Sequence, residues 1–488
     1  PHFEVQREAS ETTKRRVVFN PSFGKKPLND YLWKGEQPEL SVVHHLLRFR
    51  FGANACIADL SKAFLQIHIK PEDRKFLRFL LRDDNGIERV YQMKVLPFGL
   101  CCSPSILFQC IQHLLKDKIL PDLPNRLYMD DLLLAMDDEK LLRESMVKIT
   151  TIFKSAGFEL HKCKTNNASM RRDLGWTHDR MTKILGIQWD TFHDILSIPL
   201  PDSREVTTKR ELLAKTMAIF DPMGMLDAAI LKFRLHFRNV SNFEWDDPIP
   251  LDQATKINND FASFYDVFMD FEVPRYAPGR NLHIFCDASK EALGATFYIG
   301  NGFNLKLIFG KSKLVPEMVI KKIEKDDEKF LLDPASDKDS NTIPFLELNA
   351  VVMACDWLDK LAPILNASAI TLWSDSMINL FRLEKSPNKF PLPLATRLST
   401  ILRCSARHNM VFRHVTGTLN PADIFSRILS PAEIKRRAPW SWSLDHPDYV
   451  SSQTFNAFVI GAISSSALLP SNTVTEILNA SSDLKTFE

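Results

Sequence analysis

The sequence predicts an α/β (α+β) protein of several domains, and three observations carry that prediction. In the first half, short apolar runs of strand character alternate with segments whose apolar residues recur at helical spacing. Beyond a Pro-rich exit at Pro274, a separate series of strand and helix signals opens at Leu282. The chain has 488 residues, 45% hydrophobic and 25% charged, enough for several packed cores at about 100–200 residues per domain.

Taken in order, Thr13-Lys14-Arg15-Arg16 leads into Val17-Val18-Phe19, a basic turn entering a strand. A solvated surface is the ordinary reading of such a charge run. Next comes Cys56-Ile57-Ala58-Asp59-Leu60, apolar except for Asp59, with Phe64 five positions on. Leu96-Pro97-Phe98-Gly99-Leu100 is a Gly/Pro-punctuated loop leading into an apolar helix. Then Leu127-Tyr128-Met129-Asp130-Asp131-Leu132-Leu133-Leu134 encloses two adjacent carboxylates in apolar residues, which reads as the tip of a tight hairpin. An Asp-rich turn is the plainer alternative. Two repelling carboxylates among buried residues need compensation, however, most simply by a divalent cation. A third carboxylate on another strand-like run, Asp59, meets that expectation. Residues 138–160 then give a helical pattern through Leu142, Met146, Ile149 and Phe153, ended by Gly157.

These stretches, in this order, resemble the motifs of reverse transcriptases: Asp59 with Phe64, the LPFGL run with Ser103-Pro104, and the YMDD run. The opening PHF, TTK-x-RVVF and PLNDYL stretches are similar to reverse transcriptases of BEL/Pao retrotransposons, which usually carry Asp where this chain has Asn20. The resemblance implies a right-hand polymerase of fingers, palm and thumb. It also implies that Asp59, Asp130 and Asp131 bind two magnesium ions, with manganese as an alternative, to extend a primer 3′-hydroxyl. Arg16, or Arg15 in a register shifted by one, would contact the incoming triphosphate. Phe64 would exclude the sugar 2′-hydroxyl, against the plain alternative of a core Phe in a chain with 34 of them. Phe98 and Gly99 would underlie the template–primer base pair, with Tyr128 and Met129 also among the substrate contacts. Lys162, with Lys164 as runner-up, would protonate departing pyrophosphate, against the alternative of a surface lysine. Ile184 to Trp189 looks like the primer grip.

From Ser203, a plausible cap, the pattern turns helical again, and Asp221-Pro222-Met223-Gly224 breaks the helix. A second helix over residues 226–237 carries Lys232, Arg234 and His236, followed by Arg238, a basic face suited to a thumb that grips duplex phosphates. TKRELL and FDPMG also match BEL/Pao elements. Residues 245–275 read as an amphipathic helix and a connection segment.

The second series holds four acids. Asp287 ends a strand-like run, Glu347 opens a helix behind Pro344, Asp375 ends another strand, and Asp423 follows Asn420-Pro421 at a helix start. Asp423 alone has a dull explanation, as complement to a helix dipole. Together the acids resemble ribonuclease H in its BEL/Pao form, which implies that Asp287, Glu347, Asp375 and Asp423 hold two magnesium ions and cut the RNA of a hybrid. His414 would match the family's mobile histidine. The charged stretch over residues 317–341 is an expected surface insertion.

The expected domains are fingers and palm with primer grip (1–195), thumb and connection (196–278), a ribonuclease H-like domain (279–430) and a C-terminal linker or tail (431–488). Net charge is only +2, so any basic footprint is local. The 8 cysteines show no CxxC pairing and read as reduced thiols. No apolar run of about 18 residues suggests a membrane span. The opening at Pro1 suggests a piece of a longer polyprotein. The implied partners are an RNA template, a DNA primer, RNA–DNA hybrid and dNTPs, in an intracellular setting of cytoplasmic retroelement particles. The rival from another class is a domesticated, non-catalytic nucleic-acid-binding scaffold; retention of all seven carboxylates argues against it.

Overall fold

The computed structural model describes residues 2–6, 15–36, 40–82, 85–116, 126–176, 179–200, 204–320 and 343–458. The first strands form an antiparallel hairpin, β1 (His2–Gln6) with β2 (Arg15–Phe19). After β3 (Asn54–Leu60) comes a second hairpin, β4 (Arg78–Arg82) with β5 (Glu88–Gln92). The palm sheet combines β3 with β6 (Leu127–Tyr128), β7 (Asp131–Met136) and β8 (Leu160–Thr165), all antiparallel in the order β6-β7-β3-β8.

Strand alternation gives this sheet two different cores. Cys56, Ala58, Leu60, Leu132 and Leu134 pack with the helices Ser103–Leu115 and Glu139–Ser155. Ala55, Leu133 and Ala135 face the other way, toward Leu46, Leu47 and Phe49 of the helix Val42–Phe49. The helix predicted over 138–160 begins where Asp138 accepts the Leu141 N–H and stops before Gly157 at φ +82°.

The hairpin read as a primer grip is present as β9 (Met181–Ile184) and β10 (Ile187–Asp190). Leu185 and Gly186 both take positive φ, as the twist of a two-residue hairpin requires. It continues through β11 (Ile195–Ser197) into β12 (Glu272–Pro274). Two arginines lock this sheet to its neighbours. Fully buried Arg275 pairs with Asp194 (2.6 and 2.9 Å) and donates to Ala53 O at 2.9 Å. Arg50, also buried, donates to Arg275 O (3.1 Å) and to Leu307 O (2.9 Å).

The largest sheet has seven strands: β13 (Asn281–Ala288), β14 (Ala292–Asn301), β15 (Asn304–Leu314), β16 (Ala369–Ser374), β17 (Met410–His414), β18 (Ser441–Ser443) and β19 (Thr454–Phe455). Their spatial order is β18-β15-β14-β13-β16-β17-β19, parallel across β13-β16-β17. The expected C-terminal linker or tail is corrected over residues 431–458. Those residues supply both edge strands, and Tyr298 Oη donates to Pro439 O at 2.7 Å beneath them. Residues 321–342, most of the expected insertion, and residues 459–488 lie outside the described part.

The helices between the two halves also depart from expectation. Ser203 lies outside the described residues, and the helix Lys209–Ala218 is capped by Thr208 with Glu211 in a reciprocal capping box. The cations of the helix Asp227–Asn239 are satisfied inside the protein. Lys232 and His236 share Asp260 (2.6 and 2.7 Å), Arg234 holds buried Asp227, and Arg238 donates to Val315 O at 2.9 Å. These contacts fasten the helix to its neighbours. The FDPMG loop docks on β15, where Gly310 N donates to Met223 O at 3.0 Å. A Cβ on Gly224 would lie 1.8 Å from Gly310 O, so only glycine fits that approach. Residues on both sides of position 278 thus share one hydrophobic core.

Candidate active site

Asp59 and Asp131 stand opposite each other in the β3–β7 ladder, so their side chains leave the same face. Asp130 sits in the two-residue turn before β7, where Met129 takes φ +55°. A left-handed φ at a methionine costs about 1–3 kcal/mol, a cost that clusters at functional turns. Leu60 N donates to Asp130 O at 2.9 Å and ties the turn to the end of β3. Burial, then repulsion from Asp130 and Asp59, pushes Asp131 up to about 7, with Lys162 opposing.

Lys162 Nζ donates to Asp59 Oδ2 at 3.3 Å. It arrives there through a bulge in the β3–β8 ladder, itself at φ +51°, which re-aims the side chain. Lys164 instead donates to Asp179 at 3.0 Å. Of the two lysines, only Lys162 reaches the palm acids.

Phe64 is buried in a short 3-10 turn, its ring edge-on to that of Phe98 at 5.0 Å. Phe98 is exposed and, with Phe19, Asn20 and Leu100, lines a cleft of about 640 Å³. Gly99 has φ +99°, and a Cβ there would lie 2.6 Å from Phe19 O. Asn29 holds this loop, donating to Gly99 O (3.0 Å) and accepting from Cys101 N (2.9 Å). Sequence reasoning gave Asn29 no role, although it lies in the PLNDYL stretch. The Tyr128 ring meets that of His45 edge-on at 5.5 Å. Arg16 occupies β2 opposite Val5, and its side chain lies outside the described part.

The second group gathers at the carboxyl ends of β13 and β16. Cys286 pairs with Ser374 in parallel register, so Asp287 and Asp375 leave adjacent strand ends. Glu347 projects from the first turns of the helix Ile343–Leu361. Burial first, then Asp375, pushes Asp287 up to about 7; burial and Glu347 push Asp375 up to about 6. Glu347 is also raised, by burial and by Asp287, against a hydrogen bond from Ser376. Each of the three acids is thus raised in part by another of the group. Asp423 raises both Asp287 and Asp375, but its own oxygens are held by Arg427 and by Arg437 (2.9 Å for the latter).

Asn420, predicted as a helix cap, does something else. Its amide donates to Cys286 O at 2.9 Å and its oxygen accepts from Ala422 N, anchoring the Asp423 loop to β13. His414 ends β17 beside Ser374, with its backbone N–H toward Gln453 O.

Both acid groups fit divalent cations by the chemistry of their donors. All seven candidate side chains are carboxylates, the hard oxygen set that magnesium takes. Asp375 Oδ1 is buried without a hydrogen-bond partner, a position that a cation would satisfy. Among the described residues, neither group brings three carboxylate oxygens within 4.8 Å of one another. Asp59 leans to Lys162 and Asp423 to its arginines, so ligation would draw both inward. No helix among the described residues is long and apolar enough to cross a membrane.

Comparison with known proteins agrees with this architecture. Residues 13–189 match the family described as reverse transcriptase (RNA-dependent DNA polymerase). Residues 208–324 match the Pao retrotransposon-like RNaseH-like domain. The Gag-Pol polyprotein of Rous sarcoma virus subgroup C (strain Prague) is 32% identical over 124 residues, which cover 25% of this chain and only 8% of that polyprotein. The foamy viral protease-reverse transcriptase solved with double-stranded DNA has a TM-score of 0.58 at 16% identity, over 85% of this chain and 65% of that one. A foamy viral protease-reverse transcriptase solved with an RNA/DNA hybrid gives a TM-score of 0.55 at 16% identity, over 86% of this chain and 50% of that one. The polymerase-type fold followed by a seven-stranded sheet thus agrees with the two family matches: residues 13–189 are similar to reverse transcriptases, and residues 208–324 to the Pao retrotransposon-like RNaseH-like domain.

Proposed function

We propose that the chain copies retroelement RNA into DNA, accepting RNA and DNA templates, and degrades the RNA of the resulting hybrid. The observation that carries this reading is two separate groups of mutually repelling carboxylates, each at one end of its own sheet. Asp59, Asp130 and Asp131 would hold magnesium at the palm, and Asp287, Glu347, Asp375 and Asp423 at the second site. A bound metal pair supplies charge stabilisation at the attacking and leaving oxygens of an in-line displacement. Lys162, poised beside Asp59, would donate a proton to departing pyrophosphate. Arg427 and Arg437 would hold Asp423 until it is drawn to the metal. The partners are then an RNA template, a DNA primer and dNTPs, and the setting is a cytoplasmic retroelement particle. The test is primer extension on an RNA template with magnesium. A ladder of DNA products is expected, and absence of extension with both magnesium and manganese contradicts the reading.

Phe64→Ala is expected to admit ribonucleotides while extension continues, measured by competing ribo- and deoxynucleotides. Its cavity costs about 3–5 kcal/mol, so Phe64→Val is the better-folded companion. Unchanged selectivity in both reduces Phe64 to core packing.

The raised acids also set a pH dependence. Asp131, Asp287 and Asp375 titrate higher in the folded, metal-free chain than unfolded, so the folded state binds more protons between about pH 4 and 7. That contribution to stability is present at low pH and is lost as pH rises through this window. Magnesium replaces those protons, so it should raise Tm more at about pH 8 than at about pH 5. Equal increments at both pH values contradict ligation by these groups.

A further inference from the structure

A third cluster lies away from both acid groups. The helix Ile343–Leu361 carries Cys355 and Asp359 one turn apart, and the helix Leu392–His408 carries Cys404 and His408 one turn apart. Ligand atoms of Asp359, Cys404 and His408 lie within 4.8 Å of one another, the one such convergence among the described residues. His408 Nε2 is 2.7 Å from Asp359 Oδ1, while Arg407 holds the other Asp359 oxygen at 2.6 Å. Cys404 Sγ is 3.9 Å from Cys355 O, which sets the two cysteines on facing turns of the two helices. Both thiols are buried, whereas 37% of the Asp359 side chain remains exposed, which leaves a path for an ion.

We propose that Cys404, His408 and Asp359, completed by Cys355, form a zinc-class metal site that clamps these two helices together. Two sulfurs, an imidazole and a carboxylate are the mixed soft set that zinc takes in closed four-ligand sites. The acid groups described above, with oxygen donors only, suit magnesium instead. On binding, the two thiol protons pass to solvent, while the ion replaces the hydrogen bond between His408 Nε2 and Asp359 and the neutral imidazole keeps its single proton on Nδ1. Two thiolates and a carboxylate then leave one excess negative charge around the dication, and Arg407 offsets it from the far oxygen of Asp359. Glu347 lies on the same helix, about 18 Å away along its axis at about 1.5 Å per residue, so the ion is structural and takes no part in hydrolysis. The plainer arrangement, an Asp359–His408 pair closing two helices over inert thiols, makes the opposite prediction.

The test titrates the full chain, stripped by chelation and dialysed into magnesium, with cobalt(II). One equivalent should give a thiolate-to-metal charge-transfer band with tetrahedral d–d absorption, and zinc should abolish both. Cys404→Ser and His408→Asn should each lose the band while circular dichroism reports a folded chain. Should Cys404→Ser unfold, His408→Asn at the rim decides alone. No thiolate band on the wild-type chain, or a band retained in the folded His408→Asn variant, overturns the proposal.

Discussion

Asp131→Asn is expected to reduce primer extension by about 100-fold or more, the cost of misplacing reacting groups by about 1 Å, while cleavage of a preformed RNA–DNA hybrid continues. Asp375→Asn should do the reverse. The two acids belong to different sheets, and the leading causes of each one's raised titration are burial and acids of its own group. The amide keeps the size of the side chain and removes one negative charge. In the metal-free protein this relieves repulsion between Asp131 and its neighbours Asp59 and Asp130, so the variant should fold at least as well as the parent. Hybrid binding, carried largely by phosphate contacts, should persist in both variants. Loss of both activities in either folded variant would break the assignment of two independent sites.

Asp194→Ala is expected to destabilise the whole chain by about 3–5 kcal/mol, because it leaves the fully buried Arg275 guanidinium without its carboxylate. Arg275 also donates to Ala53 O next to β3, and its own carbonyl receives Arg50, which reaches Leu307 in β15. The damage should therefore spread from the palm to the RNase H-like sheet, and both activities should fall together on warming. Chemical denaturation of Asp194→Ala, Arg275→Ala and the double variant measures the coupling. The double change should cost much less than the sum of the singles. Additive losses would mean that the pair does not act as a junction.

The palm acids were legible in the sequence because strand alternation and a two-residue turn leave little freedom. Asp59 and the YMDD run could meet only as opposed residues of a ladder, and they do. The second acids were legible for a similar reason, each terminating or opening a regular element. Lys162 and Lys164 could not be separated that way, since a bulge, invisible in alternation, aims Lys162 at Asp59. Arg50 and Arg275 look like ordinary surface charges in the sequence, and only the packing of three sheets reveals them as buried. The pairing of Lys232 and His236 was equally hidden in the sequence, because their partner Asp260 stands on another helix. Residues 431–458 carried no long periodic signal, since their strands are two or three residues long and depend on edges already formed.

The most direct measurement of the central claim is anomalous scattering from a crystal of the chain soaked in manganese. The expected result is density bounded by Asp59, Asp130 and Asp131, and separately by Asp287, Glu347, Asp375 and Asp423, with Asp423 released from Arg427. Manganese absent from both groups, or Asp423 still held by Arg427 and Arg437 beside a filled second site, would contradict the account.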